Sequence, residues 1–385
     1  MKKTIILIIL TLGFTGIIRA QQNSEGKNVT SLAERFDLVE KKSDKMDVYF
    51  NFQSSFDVAD EGTEDWGAKF KARQLRLEIR GNLTDKLFYR FRHRLNRSNE
   101  ARTIDNLSKA TDILYAGYHF SDKFTIIAGK QCQAWGGFEF DLNPINIYEY
   151  SDMIEYMDNF MLGASFVFTP VENQEFILQI TDSRNDSFEE IYGNDIITKQ
   201  GFEESKAPLT YILNWNGSLF EDLIKTRWAI GVQTEAKDTY TTSISLGTKL
   251  NLPQFQLAFD YMRDDCELDR SGLASSFSPD GRYFEDVTYN SFIMKAEYQP
   301  NPKWNIFAKG MYENASVDNV TNYDDNFRKS YGYFGGVEYL PFEDQDLRVF
   351  LTYVGRKYDF DDNLAFSDYD TNRVSLGIIY RIKAF

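Results

Sequence analysis

In the segment KLFYRFRHRL, residues 86–95, arginine takes every second position: Arg90, Arg92 and Arg94. Leu87, Tyr89, Phe91, His93 and Leu95 fill the positions between. A helix would spread these arginines around its circumference. A strand gathers the cations on one face and the apolar groups on the other. The preceding segment FKARQLRLEIRGN alternates in the same way, and NLTDK (82–86) reads as the turn between the two. Such a hairpin brings Arg76 near Arg92, Glu78 near Arg90 and Gln74 near Arg94, with Arg80 at the turn end of the same face. Neighbours on one face lie about 7 Å apart along a strand and about 5 Å apart across it. Unit charges about 7 Å apart repel by about 0.6 kcal/mol in water, and several-fold more at lower effective dielectric. One glutamate cannot neutralise this group, so the face must be wet or must hold anions. Residues 69–102 together contain 11 Lys or Arg against three acids, more than chance gives a polar face.

A second constellation has the opposite sign. Residues 131–160, QCQAWGGFEFDLNPINIYEYSDMIEYMDNF, carry Glu139, Asp141, Glu149, Asp152, Glu155 and Asp158 and no cation. The stretch is also rich in aromatic residues and Met, which a loop surrounded by water does not need. Two readings stand. The loop folds inward, its carboxylates opposing the arginine face across a constriction, or it packs on neighbouring loops or a partner subunit. The first would create a transverse field that orients dipolar solutes and tunes ion selectivity.

Catalytic arrangements are not visible. The histidines are His93, at apolar parity, and His119, beside a short turn, and neither adjoins a Gly-x-Ser-x-Gly-type element. Asp264/Asp265 and Asp361/Asp362 sit in acidic loops, where solvation accounts for them. DFDDNLAFSDYD (359–370) offers oxygen ligands suited to calcium but lacks the EF-hand spacing with its glycine. No catalytic residue, cofactor or metal site is assigned. Cys132 and Cys266 are too few for a disulfide framework, though a pairing between them stays open.

Strands must position these groups. From Met46 onward alternation persists, as in Leu114-Ala116-Tyr118-Phe120 and Val374-Leu376-Ile378-Tyr380, giving about 16 segments of roughly ten residues. Connections alternate in length. Those near 82–86, 121–123, 169–174, 217–224, 251–254, 299–303 and 340–346 are short. Those near 57–67, 96–111, 131–160, 182–208, 264–287, 313–329 and 356–371 are longer, and only 235–240 breaks the rule. Pro170, Pro253, Pro300, Pro302 and Pro341 fall in short turns and Pro144, Pro208 and Pro279 in long loops, none being expected inside a strand.

The fold class is therefore all-β: a transmembrane antiparallel β-barrel of about 16 strands over residues 45–385. Its short turns are expected at the periplasmic end and its long loops at the extracellular end. Lipid cannot satisfy backbone polar groups, so strands cross it only as a closed cylinder, and this strand number leaves an aqueous lumen. The arginine face then lines that lumen. A secreted sandwich or propeller would have shorter strands and no loop asymmetry.

Residues 1–20, with Lys2 and Lys3 before an apolar run and Arg19-Ala20 before Gln21, read as a signal peptide, since the run is too short to span a bilayer. Residues 21–44 read as a periplasmic extension, either flexible or a short helix capped by Ser31 and Glu34. The net charge is −15, and removal of the signal's three cations makes it more acidic, which disfavours nucleic acid as a partner. All the long-side loops but 96–111 are net negative, while the barrel body is basic.

The chain resembles the phosphate-selective porin O/P superfamily of outer-membrane proteins over roughly residues 45–385. The resemblance rests on FKARQLRLEIRGNLTDKLFYRFRHRL, DILYAGYHFSDKFTIIAGK and NPINIYEYSDMIEYMDNFMLGASFVFTP. It implies a passive, often trimeric, 16-stranded channel whose lumenal basic ladder corresponds to Arg76, Arg80, Arg90, Arg92 and Arg94. On the inward reading of the 131–160 loop, Glu139, Asp141, Glu149, Asp152 and Glu155 are the carboxylates expected at the constriction. GKQCQAWGGFE departs from the family's loop opening by lacking its proline. Phe385 is a terminal aromatic, as outer-membrane proteins favour, but out of phase with the apolar face of Val374 to Ile382. The expected function is diffusion of small hydrophilic, anionic solutes, with lipopolysaccharide, the outer-membrane assembly machinery and a homotrimer as partners. The alternative is a surface binding or adhesion barrel whose acidic loops bind divalent cations or partners.

Overall fold

Along residues 47–60 the polar Asn51, Gln53 and Ser55 are buried while Phe56 is exposed. The same inversion recurs around the molecule: Leu213, Ile230, Leu246, Leu351 and Leu376 all face outward. A chain that exposes its apolar alternate residues and covers its polar ones is built for a lipid exterior. The computed structural model describes residues 45–63 and 65–384, so the expected signal peptide, the 21–44 extension and Phe385 lie outside the described residues.

Sixteen strands are present among the described residues. They are β1 (Asp47–Asp60), β2 (Trp66–Asn82), β3 (Leu87–Arg94), β4 (Thr111–Ser121), β5 (Phe124–Cys132), β6 (Phe160–Val171), β7 (Gln174–Asp182) and β8 (Leu209–Leu219). The rest are β9 (Ile224–Ala236), β10 (Thr239–Leu252), β11 (Phe255–Leu268), β12 (Glu285–Asn301), β13 (Trp304–Val317), β14 (Arg328–Tyr339), β15 (Asp346–Phe360) and β16 (Tyr369–Lys383). Each pairs antiparallel with its sequence neighbours, and β1 closes on β16. Short and long connections alternate between the two ends, with the exception the sequence also shows, β9–β10, joined by residues 237–238. The 57–67 loop shrinks to 61–65 because β1 and β2 stay paired up to Asp60 opposite Trp66.

Two local expectations are corrected and one open question is closed. The β2–β3 register pairs Arg76 with Arg94, Glu78 with Arg92 and Arg80 with Arg90, two residues away from the predicted alignment. The cause is the turn: Leu83 N–H bonds to Leu87 O, and Thr84 Oγ1 accepts from the N–H groups of Lys86 and Leu87, which moves its centre one residue onward. Pro170 and Pro300 lie inside the last residues of β6 and β12 rather than in the turns. Both positions are irregularities that skip the ladder, so no hydrogen bond is lost. Cys132 and Cys266 are both free thiols.

No helix among the described residues is long and apolar enough to cross a membrane, and the crossing elements are the strands. Leu213, on the outer face of β8, is 58% exposed, whereas Asn216 faces inward. Leu213→Arg should destabilise the barrel in lipid vesicles by about 2–4 kcal/mol in urea titrations, and Asn216→Arg by no more than about 1 kcal/mol. Equal costs would contradict this assignment of faces.

Candidate solute pathway

Arg76, Arg80, Arg90, Arg92, Arg94 and Arg97 line one side of an interior cavity of about 850 Å³. Two buried acids hold four of them. Glu78, fully covered, meets Arg90 at 2.7 Å and Arg381 at 3.5 Å. Asp112 lies 3.3 Å from Arg76, 3.3 Å from Arg92 and 2.7 Å from Arg94, one carboxylate against three guanidiniums. Arg92 and Arg94 also lie over the Phe160 ring, 5.2 and 5.9 Å from its centre. These contacts fix the fork orientations and leave Arg76 Nη1 with no protein acceptor.

The 133–159 connection supplies the other side of the cavity. Gly136 and Gly137 take φ of +74° and +82°, turning the chain inward where the family's proline is missing. A short helix, α1 (Phe138–Asp141), follows, and another, α2 (Asp152–Glu155), precedes the return to β6. Loop and wall are bonded reciprocally. Loop carboxylates take strand cations: Glu139 with Lys309 at 2.7 Å, Asp141 with Arg227 at 3.0 Å and Glu149 with Arg373 at 2.8 Å. Asp152 receives Arg328 at 2.8 Å and Arg356 at 2.6 Å. In return, strand carboxylates accept loop N–H groups: Asp260 from Phe138 and Glu139, each at 2.8 Å, and Glu313 from Asp152 at 2.8 Å and Met153 at 3.2 Å.

The loop's apolar side is covered as well. Trp135, Phe140 and Ile154 pack on a belt of inward-facing residues: Ile212, Ala229, Met262, Ile293, Met311, Phe334 and Val354. Gly231 makes room for Trp135, since a Cβ there would lie 2.5 Å from the indole.

The predicted site residues thus divide into three groups. The five ladder arginines come together on one wall. Glu139, Glu149 and Asp152 turn toward the wall of β13–β16, and their ion partners are there rather than in the arginine ladder. Asp141 and Glu155 line the arginine cavity, Asp141 while paired to Arg227. Asp112, Asp260, Glu313, Arg328 and Arg356 are absent from the sequence prediction. The last four sit at inward parity, which is a readable signal. Asp112 does not, because a bulge in the β3–β4 ladder turns it inward. Among the described residues no group of three or more His, Cys, Asp or Glu converges as a metal site.

The sequence profile of the family described as phosphate-selective porin O and P matches residues 46–382. The chain belongs to that family. It is accordingly a porin of the bacterial outer membrane, with the fold of a channel rather than of an enzyme. No curated protein matches it in sequence. Among solved structures it is similar to the outer-membrane channel DcaP of Acinetobacter baumannii, at 10% identity and a TM-score of 0.61 over 88% of this chain and 97% of that one. It is also similar to Salmonella typhi OmpF in complex with daunomycin, at 14% identity and a TM-score of 0.59 over 88% and 98%. A trimer form of Vibrio cholerae OmpT gives 10% identity and a TM-score of 0.55 over 88% and 99%. At these identities the likeness is one of fold.

Burial alone would raise the Asp152 carboxyl, but Arg328 and Arg356 outweigh it and hold the group below the ordinary carboxylate range. An acid lowered in this way contributes stability above its unfolded value and loses it as pH falls through the folded one, so this anchor of the porin's third loop holds at neutral pH and yields only in strong acid. Asp152→Ala leaves two buried guanidiniums without that partner, a loss of about 3–5 kcal/mol. Hydrogen exchange across residues 148–157 should accelerate, and the open-channel current should become larger and noisier. Unchanged exchange would contradict the anchoring role.

Proposed function

We propose that this porin gives passive diffusion to small hydrophilic anions of phosphate-like chemistry. One arrangement carries the reading: Arg76, Arg92 and Arg94 share the carboxylate of Asp112 at the wall of the 850 Å³ cavity. Positive charge in excess of its fixed counterions, enclosed by a barrel wall, draws mobile anions as counterions. A solute oxyanion meets preset guanidinium donors there, and because the donors are spread along the wall it can pass from one to the next rather than being trapped. Flux follows the concentration gradient and no bond is made or broken.

The surrounding assignments complete the proposal. Residues 1–20 direct export and are removed, and residues 21–44 extend into the periplasm on the side of the short turns. The assembly machinery inserts the barrel, lipopolysaccharide surrounds its outer leaflet, and the trimer form of OmpT supports a homotrimer.

Replacing Arg90, Arg92 and Arg94 together by Glu should shift the anion-to-cation permeability ratio in planar bilayers toward cations by at least about tenfold, close to a 1.4 kcal/mol change at the constriction. A reversal potential identical to that of the wild type would remove the arginines from the mechanism.

Acidity should act in the opposite direction to that substitution, from the loop side. Enclosure, and next the Glu149 carboxylate, push the Glu155 carboxyl above its ordinary value. A raised carboxyl becomes neutral earlier as pH falls, so the cavity gains positive charge on mild acidification and anion selectivity rises. The step should vanish in Glu155→Gln, and a pH-independent wild-type reversal potential would contradict it.

A further inference from the structure

The third loop leaves a second chamber beside it. This cavity of about 280 Å³ lies toward the short-turn end of the barrel, where Arg227, Lys249, Ala258 and Phe307 each stand three residues from the end of their strands. Register explains why it is open. Lys249 of β10 pairs with Ala258 of β11, and Ala258 with Lys295 of β12, so a lone methyl group stands between two long side chains. Ile293 and Phe334 of the apolar belt line it as well, and Asp141 and Leu142 line both this chamber and the arginine cavity.

Its charges are balanced, unlike those of the arginine wall: four cations face five carboxylates. Lys309 holds Glu139 at 2.7 Å, Arg227 holds Asp141 at 3.0 Å and Lys295 holds Glu297 at 3.1 Å. Both oxygens of Asp260 accept loop N–H groups. An inorganic anion finds no surplus of positive charge here, and a simple cation finds these carboxylates engaged. A sugar ring would stack on an aromatic face, but the faces are taken by cations. Lys249 and Arg227 lie over Phe138 at 4.8 and 5.6 Å, Lys295 over Phe307 at 5.6 Å and Lys309 over Phe334 at 4.8 Å.

A solute with both signs and no net charge meets none of these objections. The Lys309 and Glu139 side chains, 8% and 6% exposed, are committed to holding the loop, whereas Lys295 and Glu297 keep 24% and 19% of their surface open. A zwitterion entering there gives each of its charges a charge-assisted partner and leaves the balance unchanged. Leu142, Ile147 and Ile293 present an apolar surface to its carbon body. The volume falls at the lower end for ligand pockets, about 300–1,000 Å³, which suits one amino acid rather than a peptide.

We infer that this chamber binds a small apolar amino acid as its zwitterion. The carboxylate is held by Lys249 and Arg227, whose cationic groups converge on the Phe138 ring, and the ammonium by Glu297. The site is separate from the arginine wall and rests on its own residues.

Hydrogen exchange of the wild-type porin in lipid vesicles, with and without millimolar leucine, tests it. Leucine should slow exchange across residues 138–149. Isocaproate, which lacks the ammonium, leucinamide, which lacks the carboxylate, and glucose should leave it unchanged. Lys249→Gln and Glu297→Gln should each raise the leucine concentration needed at least about tenfold, and Lys249→Arg should preserve the effect. Protection by any of the three comparison solutes, no protection by leucine, or undiminished protection in both Gln variants would overturn the site. Leucine protection in a wild-type porin that passes no phosphate would defeat the anion reading and leave this one standing.

Discussion

Every charge inside a closed wall must find its counterion within that wall or take one from the solution, and this constraint arranges the interior. Loop carboxylates neutralise cations on β9 and β13–β16, while strand carboxylates Asp260 and Glu313 accept loop N–H groups. Each side supplies what the other lacks, so the loop has one well-satisfied position, against that wall. On the arginine wall three guanidiniums, Arg76, Arg92 and Arg94, share the single carboxylate of Asp112, while Arg90 takes Glu78. The polarity of the passage follows from this unequal distribution: one basic wall is covered by an acidic strap, and the other stays open to solute.

Electrostatics alone would hold such a strap loosely, because water competes for every exposed ion pair. The apolar belt removes that competition. Trp135, Phe140 and Ile154 are 3%, 7% and 5% exposed on a ring of inward-facing residues drawn from seven strands. Each such side chain contributes about 1.5–3 kcal/mol when covered. Their burial also excludes water from Asp152, Arg328 and Arg356, which strengthens the pairing there. The barrel thus has a small conventional core, placed inside its lumen and completed by the loop.

The strand number, the alternation of loop lengths and the arginine face were legible because a period of two is a local property, visible in any ten residues. A surplus of aromatic residues in a stretch without cations marked the loop as packed rather than surrounded by water, but left open whether it turned inward or onto its neighbours. Its partners were not legible, since pairing Asp152 with Arg356 or Asp260 with Phe138 requires knowing which strands face each other across more than a hundred residues. The belt was missed for a related reason: one apolar residue at polar parity, such as Ile212 or Met262, looks like noise on its own strand. It becomes a feature only when neighbouring strands align. The β2–β3 register failed on a smaller matter, the Thr84 hydroxyl that draws Lys86 and Leu87 into the turn.

Bulges account for what periodicity could not. In β4, Asp112 has the parity of Leu114 and Ala116, which face outward. The ladder pairs Arg92 with Ile113 and His93 with Thr111, so Asp112 is the extra residue and its side chain swings into the lumen. Arg73 is the counterpart in β2, skipped between the pairs Gln53–Gln74 and Ser54–Ala72 and bonded inward to Asp57 at 2.6 Å. An in-phase β4 would place the Asp112 carboxylate against lipid and strip three guanidiniums of their common acceptor, two large penalties from a shift of one residue. The arginine wall exists in its present form because the ladder breaks where a charge has to cross from the outer face to the inner one.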